Sequence, residues 1–341
     1  MEDMAIAMNG KFWRGRRVFL TGHTGFKGGW LALWLHELGA KVSGFALPPE
    51  DKHYLFPACG LEHLVHSRMG DVRNPAQLSQ ALDAAAPEVI FHLAAQPLVR
   101  RSYRLPVETF STNVMGTVNL LEAARKSSSV RSIVVITSDK CYENRDMAAP
   151  PLTEEDRLGG SDPYSASKAC AELVARAYRE SWMSGDDARI SLATVRAGNV
   201  IGGGDYSEDR ILPDAIRALR QGEVLRVRNP QAVRPWQHVL EPLSGYLALA
   251  EKLYVDGNRW AGAWNFGPRT ESAATVGTLT DLIVGAWGSG SWQTVPLLDG
   301  LHESRRLELN SSKAHRLLGW QPRLSLSEAV SMAVHWYCLL Y

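Results

Sequence analysis

Tyr164 and Lys168 lie four residues apart and are of types that together could transfer a proton. On a helix, this spacing places both side chains on one face, so the ammonium group can lie near the phenol. A nearby positive charge favours the phenolate and moves a tyrosine pKa from ~10 toward the working pH. An isolated pair of this kind is commonplace and is more often a feature of a helix surface. The chemistry therefore depends on what else the chain provides.

A second polar group follows an apolar run. The run 132–137 is typical of a strand buried on both faces, and Ser138, Asp139 and Lys140 follow it directly. A hydroxyl, a carboxyl and an amine at a strand end could supply a hydrogen bond, an acid and a base. The alternative is a local ion pair between Asp139 and Lys140.

Glycines recur at positions 22, 25 and 28, between a short β-rich run and a helical stretch. This spacing permits a tight turn, close approach of the backbone to a pyrophosphate, and close packing of helix on strand. The N-terminus of the following helix would add unpaired N–H groups and a positive dipole end. The sequence therefore predicts a dinucleotide-binding loop.

The loop does not by itself distinguish NAD from NADP. The second strand is followed by no acidic residue before Glu50, so the ribose-binding carboxylate expected there is missing. Asp71 follows the next strand and could contact the adenine. It could equally be a solvated loop aspartate that caps the turn at Asn74-Pro75.

Short apolar runs alternate with helical patterns through the first part of the chain. The runs are 17–21, 41–46, 89–93, 132–137 and 191–196, and the helical stretches include 27–38, 107–126 and 164–182. This alternation predicts a doubly wound α/β domain with a parallel sheet. After Asn199 the chain becomes polar and turn-rich, with helix candidates at 213–221, 276–287 and 325–337, so we expect a smaller second lobe.

Composition excludes several classes of protein. The chain has 341 residues and a formal net charge of +1, so no overall field attracts nucleic acid or an anionic membrane. The start carries acidic residues, and no apolar segment approaches the ~20 residues of a membrane span, so we expect a cytoplasmic protein. Four scattered cysteines without a C-x-x-C pair indicate reduced thiols and neither a metal site nor a disulfide framework.

A set of motifs occurs in order along almost the whole chain. They are Thr21-Gly-x-x-Gly-x-x-Gly28, His92-Leu-Ala-Ala95, Ser138, Tyr164-x-x-x-Lys168, Arg196-x-x-Asn199, Trp264-Asn-Phe-Gly-Pro268 and Leu318-Gly-Trp-Gln-Pro322. In this order they resemble the extended short-chain dehydrogenase/reductase family. The resemblance implies an α/β fold, a Rossmann-type doubly wound parallel sheet with a smaller C-terminal α/β substrate-binding domain. It also implies that residues 1–200, with 233–266 returning, form the dinucleotide-binding domain, and that 201–232 and 267–341 bind a nucleotide sugar.

The same resemblance implies NAD as the cofactor. The residues that it assigns to the cofactor are Gly22, Thr24, Gly25, Phe26, Gly28, Asp71, Val72, Ala94, Ala95, Tyr164 and Lys168. His92 is expected to be a packed strand histidine rather than a catalyst, and Cys141 a buried thiol.

Further motifs are more specific. They are Gly22-His-Thr-Gly-Phe-Lys-Gly-Gly-Trp30, Ala95-Gln-Pro-Leu-Val99, Thr137-Ser-Asp-Lys-Cys-Tyr-Glu-Asn144, Gly198-Asn-Val-Ile-Gly-Gly-Gly-Asp205 and Arg234-Pro-Trp-Gln-His-Val-Leu-Glu-Pro242. They resemble the nucleotide-sugar 4,6-dehydratases of this family, in particular those that act on CDP-glucose in deoxysugar biosynthesis. Relatives that act on dTDP- and GDP-sugars usually carry Asp-Glu where this chain has Asp139-Lys140.

The resemblance implies a role for each catalytic residue. Tyr164 would take the proton of the sugar 4-hydroxyl while hydride leaves C4, Ser138 would hydrogen-bond the same oxygen, and Lys168 would keep the phenol ionised. Asp139, in its protonated form, would protonate the departing C6 hydroxyl. Lys140 would either remove the C5 proton, for which it must be neutral, or support the enolate electrostatically. Glu143 is a less supported alternative base.

Substrate contacts are expected from Gln96, Arg100, Asn199, Arg234, His302 and Arg305. Arg234 suits a diphosphate because a guanidinium fork matches phosphate geometry, and the alternative is a surface ion pair. Arg100 could instead belong to a solvated arginine cluster. By resemblance, the helices at 107–126 and 164–182 pair across a homodimer or a larger homo-oligomer. Two other functions fit the motifs less well, a nucleotide-sugar epimerase or reductase and a non-catalytic dinucleotide sensor.

Overall fold

The computed structural model describes residues 10–49, 52–143, 150–185, 188–269, 273–296 and 307–341. The strands in chain order are β1 Arg17–Thr21, β2 Lys41–Ala46, β3 His66–Met69, β4 Val89–His92, β5 Ser132–Ile136, β6 Ser191–Ala197, β7 Val200–Ile201, β8 Leu225–Val227, β9 Val233–Pro235, β10 Gln237–His238, β11 Gly262–Phe266, β12 Ala273–Thr275 and β13 Trp292–Thr294. The described ranges are thus rich in short strands, as the sequence predicts for an α/β protein.

The α-helices are α1 Gly10–Trp13, α2 Phe26–Glu37, α3 Leu55–Ala58, α4 Pro75–Ala85, α5 Val99–Arg104, α6 Pro106–Phe110, α7 Gly116–Lys126, α8 Pro163–Trp182, α9 Ile211–Gln221, α10 Leu240–Asp256, α11 Val276–Trp287 and α12 Leu326–Leu340. Short 3-10 turns span Leu61–His63, Asp139–Cys141 and Gly257–Trp260, and one-turn π-helical segments span Ser111–Met115 and Ala314–Leu318. Between β1 and β6, strands and helices alternate, which is the pattern of a doubly wound fold.

Among the described residues, seven strands form the central sheet, in the order β11-β6-β5-β4-β1-β2-β3. The neighbouring pairs from β6 to β3 are parallel. Every residue of β4 and β5 is buried, as expected for strands covered by helices on both faces. The strand order reverses beside β1, and in such sheets ligands bind at the carboxyl ends of the strands near this point. The predicted Rossmann-type fold is confirmed.

Contacts within the described chain divide it into two compact units. Unit 1 consists of Met1–Glu143, Arg157–Arg196 and Leu243–Trp264, and unit 2 of Asn144–Asp156, Ala197–Pro242 and Asn265–Tyr341. Each has its own apolar core: side chains such as Phe19, Leu120 and Ile133 fill that of unit 1, and Leu212, Ile283 and Tyr337 lie in that of unit 2. No helix among the described residues is both long and apolar enough to cross a bilayer.

Local sequence explains where the main helices begin. Asn74 and Asp162 cap α4 and α8 by accepting the backbone N–H of the third helical residue, and each is followed by proline at the first helical position. Ser325 and Glu328 form a capping box at the start of α12. Capping by Asp162 thus fixes the start of α8, the helix that carries Tyr164.

The predicted helical stretch over 107–126 is confirmed, but it contains a π-helical turn that the sequence did not predict. The structure has α6, then a π-helical turn at Ser111–Met115, then α7. The turn inserts an extra residue and directs Asn113 into the interior, where its side chain makes three hydrogen bonds. Such turns occur often at functional sites.

Candidate active site

The glycine loop connects β1 to α2. Gly22 has a φ of +79°, and a Cβ at this position would lie 2.7 Å from the backbone nitrogen of Ala94. A Cβ on Gly28 would lie 2.0 Å from the carbonyl oxygen of Gly22, which no side chain could tolerate. Gly25 precedes the first residue of α2, so the loop presents the N-terminus of that helix. The three glycines therefore form a close backbone cradle of the kind that a pyrophosphate requires.

Polar contacts connect the loop to β3 and to the residue that follows β2. Thr24 donates its hydroxyl to the carbonyl of Leu47 at 2.8 Å, and His23 Nε2 lies 2.6 Å from Ser67 Oγ. Burial lowers the pKa of His23 to about 4, so the ring is neutral at physiological pH. Phe26, the first residue of α2, is buried.

Asp71 is engaged by its own loop. Arg73 donates from Nη2 to Asp71 Oδ2 at 2.5 Å and from Nε to Oδ1 at 3.0 Å, and its backbone N–H also bonds Oδ1. The hydrogen bond from Arg73 lowers the pKa of Asp71. The adjacent Val72 is buried, and its carbonyl accepts from Asn119 at 2.9 Å. The carboxylate of Asp71 thus bonds within its own loop, and its contact with the adenine stays a prediction.

Ser138, Asp139 and Lys140 lie just beyond the carboxyl end of β5. Ser138 caps the 3-10 turn by accepting the N–H of Lys140 at 3.2 Å, and it donates its hydroxyl to Asp139 Oδ1 at 2.9 Å. Asp139 is buried, with 3% of its surface exposed, while Lys140 is half-buried. The sequence did not indicate that the Ser138 hydroxyl would donate a hydrogen bond to Asp139.

Tyr164 and Lys168 lie one turn apart on α8, and both are buried. Lys168 Nζ donates to the carbonyl of Ile136 at 3.2 Å, so the helix and the end of β5 meet at this lysine. Burial lowers the pKa of Lys168 to about 8. The ammonium form still predominates at pH 7, as support of a phenolate requires.

A directional chain of hydrogen bonds connects the glycine loop to α7. Thr117 donates its hydroxyl to the carbonyl of Asn113 at 2.7 Å, so its oxygen must accept from His92 Nε2 at 3.2 Å. His92 Nδ1 then accepts from Thr21 Oγ1 at 2.7 Å. Burial, with the charge of Lys168, lowers the pKa of His92 to about 3. The histidine is thus a neutral interior residue, as the sequence predicts.

Asn113 extends this chain to α8, the helix that carries Tyr164. Its side-chain amide pairs with the backbone of Gln96 in both directions, at 2.8 and 3.1 Å, and donates to Ser167 Oγ at 2.8 Å. Ser167 in turn donates to the carbonyl of Tyr164 at 2.7 Å. Neither the role of Asn113 nor the π-helical turn that places it was predicted, because the contacts that stabilise them are distant in sequence.

The predicted substrate residues fall in three groups. Gln96 is buried, and its side chain bonds Thr109 and the backbone of Leu98. Arg100 lies on α5 in unit 1. Asn199 and Arg234 lie in unit 2. The backbone carbonyl of Asn199 accepts the N–H of Gln237, and the guanidinium of Arg234 donates to the carbonyl of Val233. His302 and Arg305 lie outside the described residues. All six assignments stay predictions.

Sequence reasoning also missed Glu172, which is buried on α8 and bonded to Arg196. Its position eight residues after Tyr164 on the same helix was the available signal. Within the described ranges, no group of three His, Cys, Asp or Glu side chains is placed to hold a metal ion.

Comparison with known proteins identifies the class to which this fold and site belong. The sequence pattern of the GDP-mannose 4,6-dehydratase family matches residues 19–333. A CDP-glucose 4,6-dehydratase of Salmonella typhimurium is 49% identical over 333 residues, covering 96% of this chain and 91% of that protein. The fold and this similarity are those of an extended short-chain dehydrogenase/reductase.

Solved structures support the same class. MoeE5 in complex with UDP-glucuronic acid and NAD is 25% identical, with a TM-score of 0.79 over 95% of this chain and 99% of that one. DesIV, a dTDP-glucose 4,6-dehydratase of Streptomyces venezuelae, has the same fold: it is 24% identical, with a TM-score of 0.82 over 95% of this chain and 97% of that one. The chain belongs to the GDP-mannose 4,6-dehydratase family. The family membership that the motifs indicated is confirmed.

Proposed function

We propose that the protein is an NAD-dependent lyase that removes water from CDP-glucose to give CDP-4-dehydro-6-deoxy-D-glucose. The observation that carries this proposal is the 49% identity, over nearly the full length, to a CDP-glucose 4,6-dehydratase. The positions of the proposed residues support it, because Ser138, Asp139 and Lys140 follow β5 and Lys168 on α8 bonds the end of that strand.

The glycine cradle fits a dinucleotide. Gly22 and Gly28 leave no room for a Cβ, and the N-terminus of α2 faces the loop, so backbone N–H groups can surround a pyrophosphate. We assign NAD to this site, with Thr24 and Phe26 shaping the loop and Val72, Ala94 and Ala95 lining it. Bound NAD would accept a hydride from C4 of the sugar and later return it to C6.

Three residues would serve the oxidation at C4. Tyr164, as the phenolate, takes the proton of the 4-hydroxyl, and Lys168 stabilises that phenolate by its charge. Ser138 would donate to the same sugar oxygen. In the structure its proton points to Asp139. Binding of the sugar therefore requires the hydroxyl to rotate from the carboxylate to the substrate.

Asp139 and Lys140 would serve the elimination. Once C4 is a ketone, the C5–H bond is acidic, and a base takes that proton while Asp139 protonates the departing C6 hydroxyl, which leaves as water. Lys140, half-buried beside Asp139, either takes the proton or stabilises the enolate, and Glu143 is the less supported alternative. When the hydride returns to C6, C5 regains a proton, so the net change is the loss of one water.

We assign nucleotide-sugar recognition to unit 2, with Arg234 and Asn199 binding the diphosphate and His302 and Arg305 completing the nucleotide site. Arg234 is almost fully buried. A guanidinium held in this way suits bidentate contact with phosphate oxygens. In unit 1, Gln96 and Arg100 are the proposed sugar contacts.

We further propose that the chain forms a homodimer or a homotetramer. Large apolar side chains are exposed along the helices that the family resemblance assigns to an interface: Val107, Met115, Leu173 and Trp182 are 80%, 50%, 51% and 56% exposed. A second copy would remove this apolar surface from water. The cytoplasmic location stays a prediction.

Incubation of the purified protein with CDP-glucose and NAD tests the proposed activity. We expect a nucleotide-sugar product lighter than the substrate by one water, detected by mass spectrometry. A product of equal mass would indicate an epimerase, and bound NAD without turnover would indicate a sensor. Tyr164→Phe is the control, because it should abolish the first oxidation while leaving the fold intact.

A further inference from the structure

A buried ion pair lies beside the catalytic residues, and the proposed reaction gives it no role. Arg196 donates from Nε to Glu172 Oε1 at 2.9 Å and from Nη2 to Oε2 at 2.7 Å. The two side chains are 4% and 3% exposed. Burial alone would raise the pKa of Glu172, but the hydrogen bonds and charge of Arg196 outweigh it and hold that pKa below its usual value. The pair is therefore fully ionised.

The ion pair contacts the chain on both sides of residues 138–140, which we call the catalytic segment. Before the segment, Thr137 donates its hydroxyl to Glu172 Oε1 at 2.5 Å. After it, Tyr142 accepts a hydrogen bond from Arg196 Nη1 at 2.7 Å. The catalytic segment is thus attached at both ends to one rigid, bidentate pair.

One member of the pair, Glu172, lies on α8, the helix that carries Tyr164, while Arg196 lies on β6. Tyr164, Lys168 and Glu172 follow one another at four-residue intervals on α8, so they share one face, and all three are buried. Through Glu172, the helix that carries the proposed base is joined directly to the segment that carries the proposed acid. The negative charge of Glu172 also favours the protonated form of Lys168.

We propose that Glu172 and Arg196 are positioning residues that fix the distance between the catalytic segment and Tyr164. A buried ion pair adds little net stability, because desolvation offsets the attraction, so its value here lies in the geometry that it imposes. A misplacement of ~1 Å between reacting groups can cost ~100-fold in rate. This inference rests on the proposed function, which supplies the need for both groups in one reaction.

The test removes the attachments and leaves the ion pair in place. Replacing Glu172 itself would bury an uncompensated guanidinium and is expected to unfold the protein. Thr137→Val keeps the shape and removes the hydroxyl, Thr137→Ser restores the hydroxyl, and Tyr142→Phe removes the acceptor while keeping the ring. Thr194→Val is the matched control, because Thr194 donates to the same carboxylate at 2.7 Å but belongs to β6 and not to the chain that flanks the catalytic segment.

We expect Thr137→Val and Tyr142→Phe to lower kcat by about tenfold or more with little change in KM, since the loss is one of alignment and not of binding. Thr137→Ser should recover most of the parent kcat, and Thr194→Val should stay within about twofold of it. If Thr137→Val and Tyr142→Phe lose no more kcat than Thr194→Val at similar thermal stability, or lose activity only through KM, the proposal is wrong.

A second readout does not depend on the substrate. Hydrogen exchange of the backbone amides of residues 138–142 should be faster in Thr137→Val and Tyr142→Phe than in the parent, and unchanged in Thr194→Val. If the parent does not convert CDP-glucose, the proposed function fails, and this exchange still decides whether the ion pair holds the segment. Unchanged exchange in the first two variants would overturn the inference.

Discussion

Ser138 can donate its one hydroxyl proton to a single acceptor at a time, and in the structure that acceptor is Asp139. In the proposed reaction the same hydroxyl must turn to the sugar O4. The buried carboxyl of Asp139 would then lose this donor, which favours its protonated form. Binding of the sugar would therefore prepare the acid that the elimination needs.

Asp139→Asn tests the role of this carboxyl. Asparagine keeps the shape and can still accept from Ser138, but it has no proton to give to the departing hydroxyl. We expect oxidation at C4 to proceed and dehydration to slow by about 100-fold or more, so that reduced nicotinamide accumulates, as its absorbance will show. Asp83→Asn, an exposed position on α4, is the control. Dehydration of CDP-glucose by Asp139→Asn at the parent rate would reject the acid assignment.

At the scale of elements, the site forms where strands end and helices begin. The glycine loop joins β1 to α2, the catalytic segment follows β5, and α8 brings Tyr164 and Lys168 to the same edge of the sheet. A parallel sheet places all of these carboxyl ends together, which is why residues far apart in sequence can act as one site.

Gly25→Ala tests the cofactor loop without disturbing the fold. A Cβ at Gly25 would lie 3.4 Å from the nearest protein atom, an ordinary contact, but it would occupy the start of α2 where the pyrophosphate is expected. We expect NAD affinity to fall by about tenfold or more, or ~1.4 kcal/mol, with little change in thermal stability. Gly285→Ala on α11, where a Cβ meets nothing within 4 Å, is the control. Equal NAD affinity in both variants by titration would place the pyrophosphate elsewhere.

The sequence predicted the elements best where the signal is local. Buried parallel strands appear as continuous apolar runs, and β1 and β2 have the predicted bounds, while β4 and β5 end one residue earlier. The π-helical turn around Asn113 was missed because the contacts that stabilise it, with Gln96 and Ser167, are long-range. Likewise, Tyr164 and Lys168 were found from their spacing, but the bond between Ser138 and Asp139 depends on a rotamer that no motif encodes.

At the scale of the whole molecule, the two units divide the proposed tasks. Unit 1 contains every residue that we assign to proton transfer and to NAD, and unit 2 contains Asn199 and Arg234, which we assign to the nucleotide diphosphate. The similarity between this chain and the CDP-glucose 4,6-dehydratase of Salmonella typhimurium covers 96% of this chain and so includes both units. The substrate proposal therefore concerns the full chain and not the sheet alone.

Conversion of CDP-glucose in deuterated water tests the proposed transient oxidation most directly. In the proposed reaction, C5 loses its proton and regains one from the solvent, while C6 receives the hydride taken from C4. Analysis of the isolated product by nuclear magnetic resonance should find solvent deuterium at C5 and none at C6. A product without deuterium at C5, or with solvent deuterium at C6, would contradict the transient oxidation on which the proposed function depends.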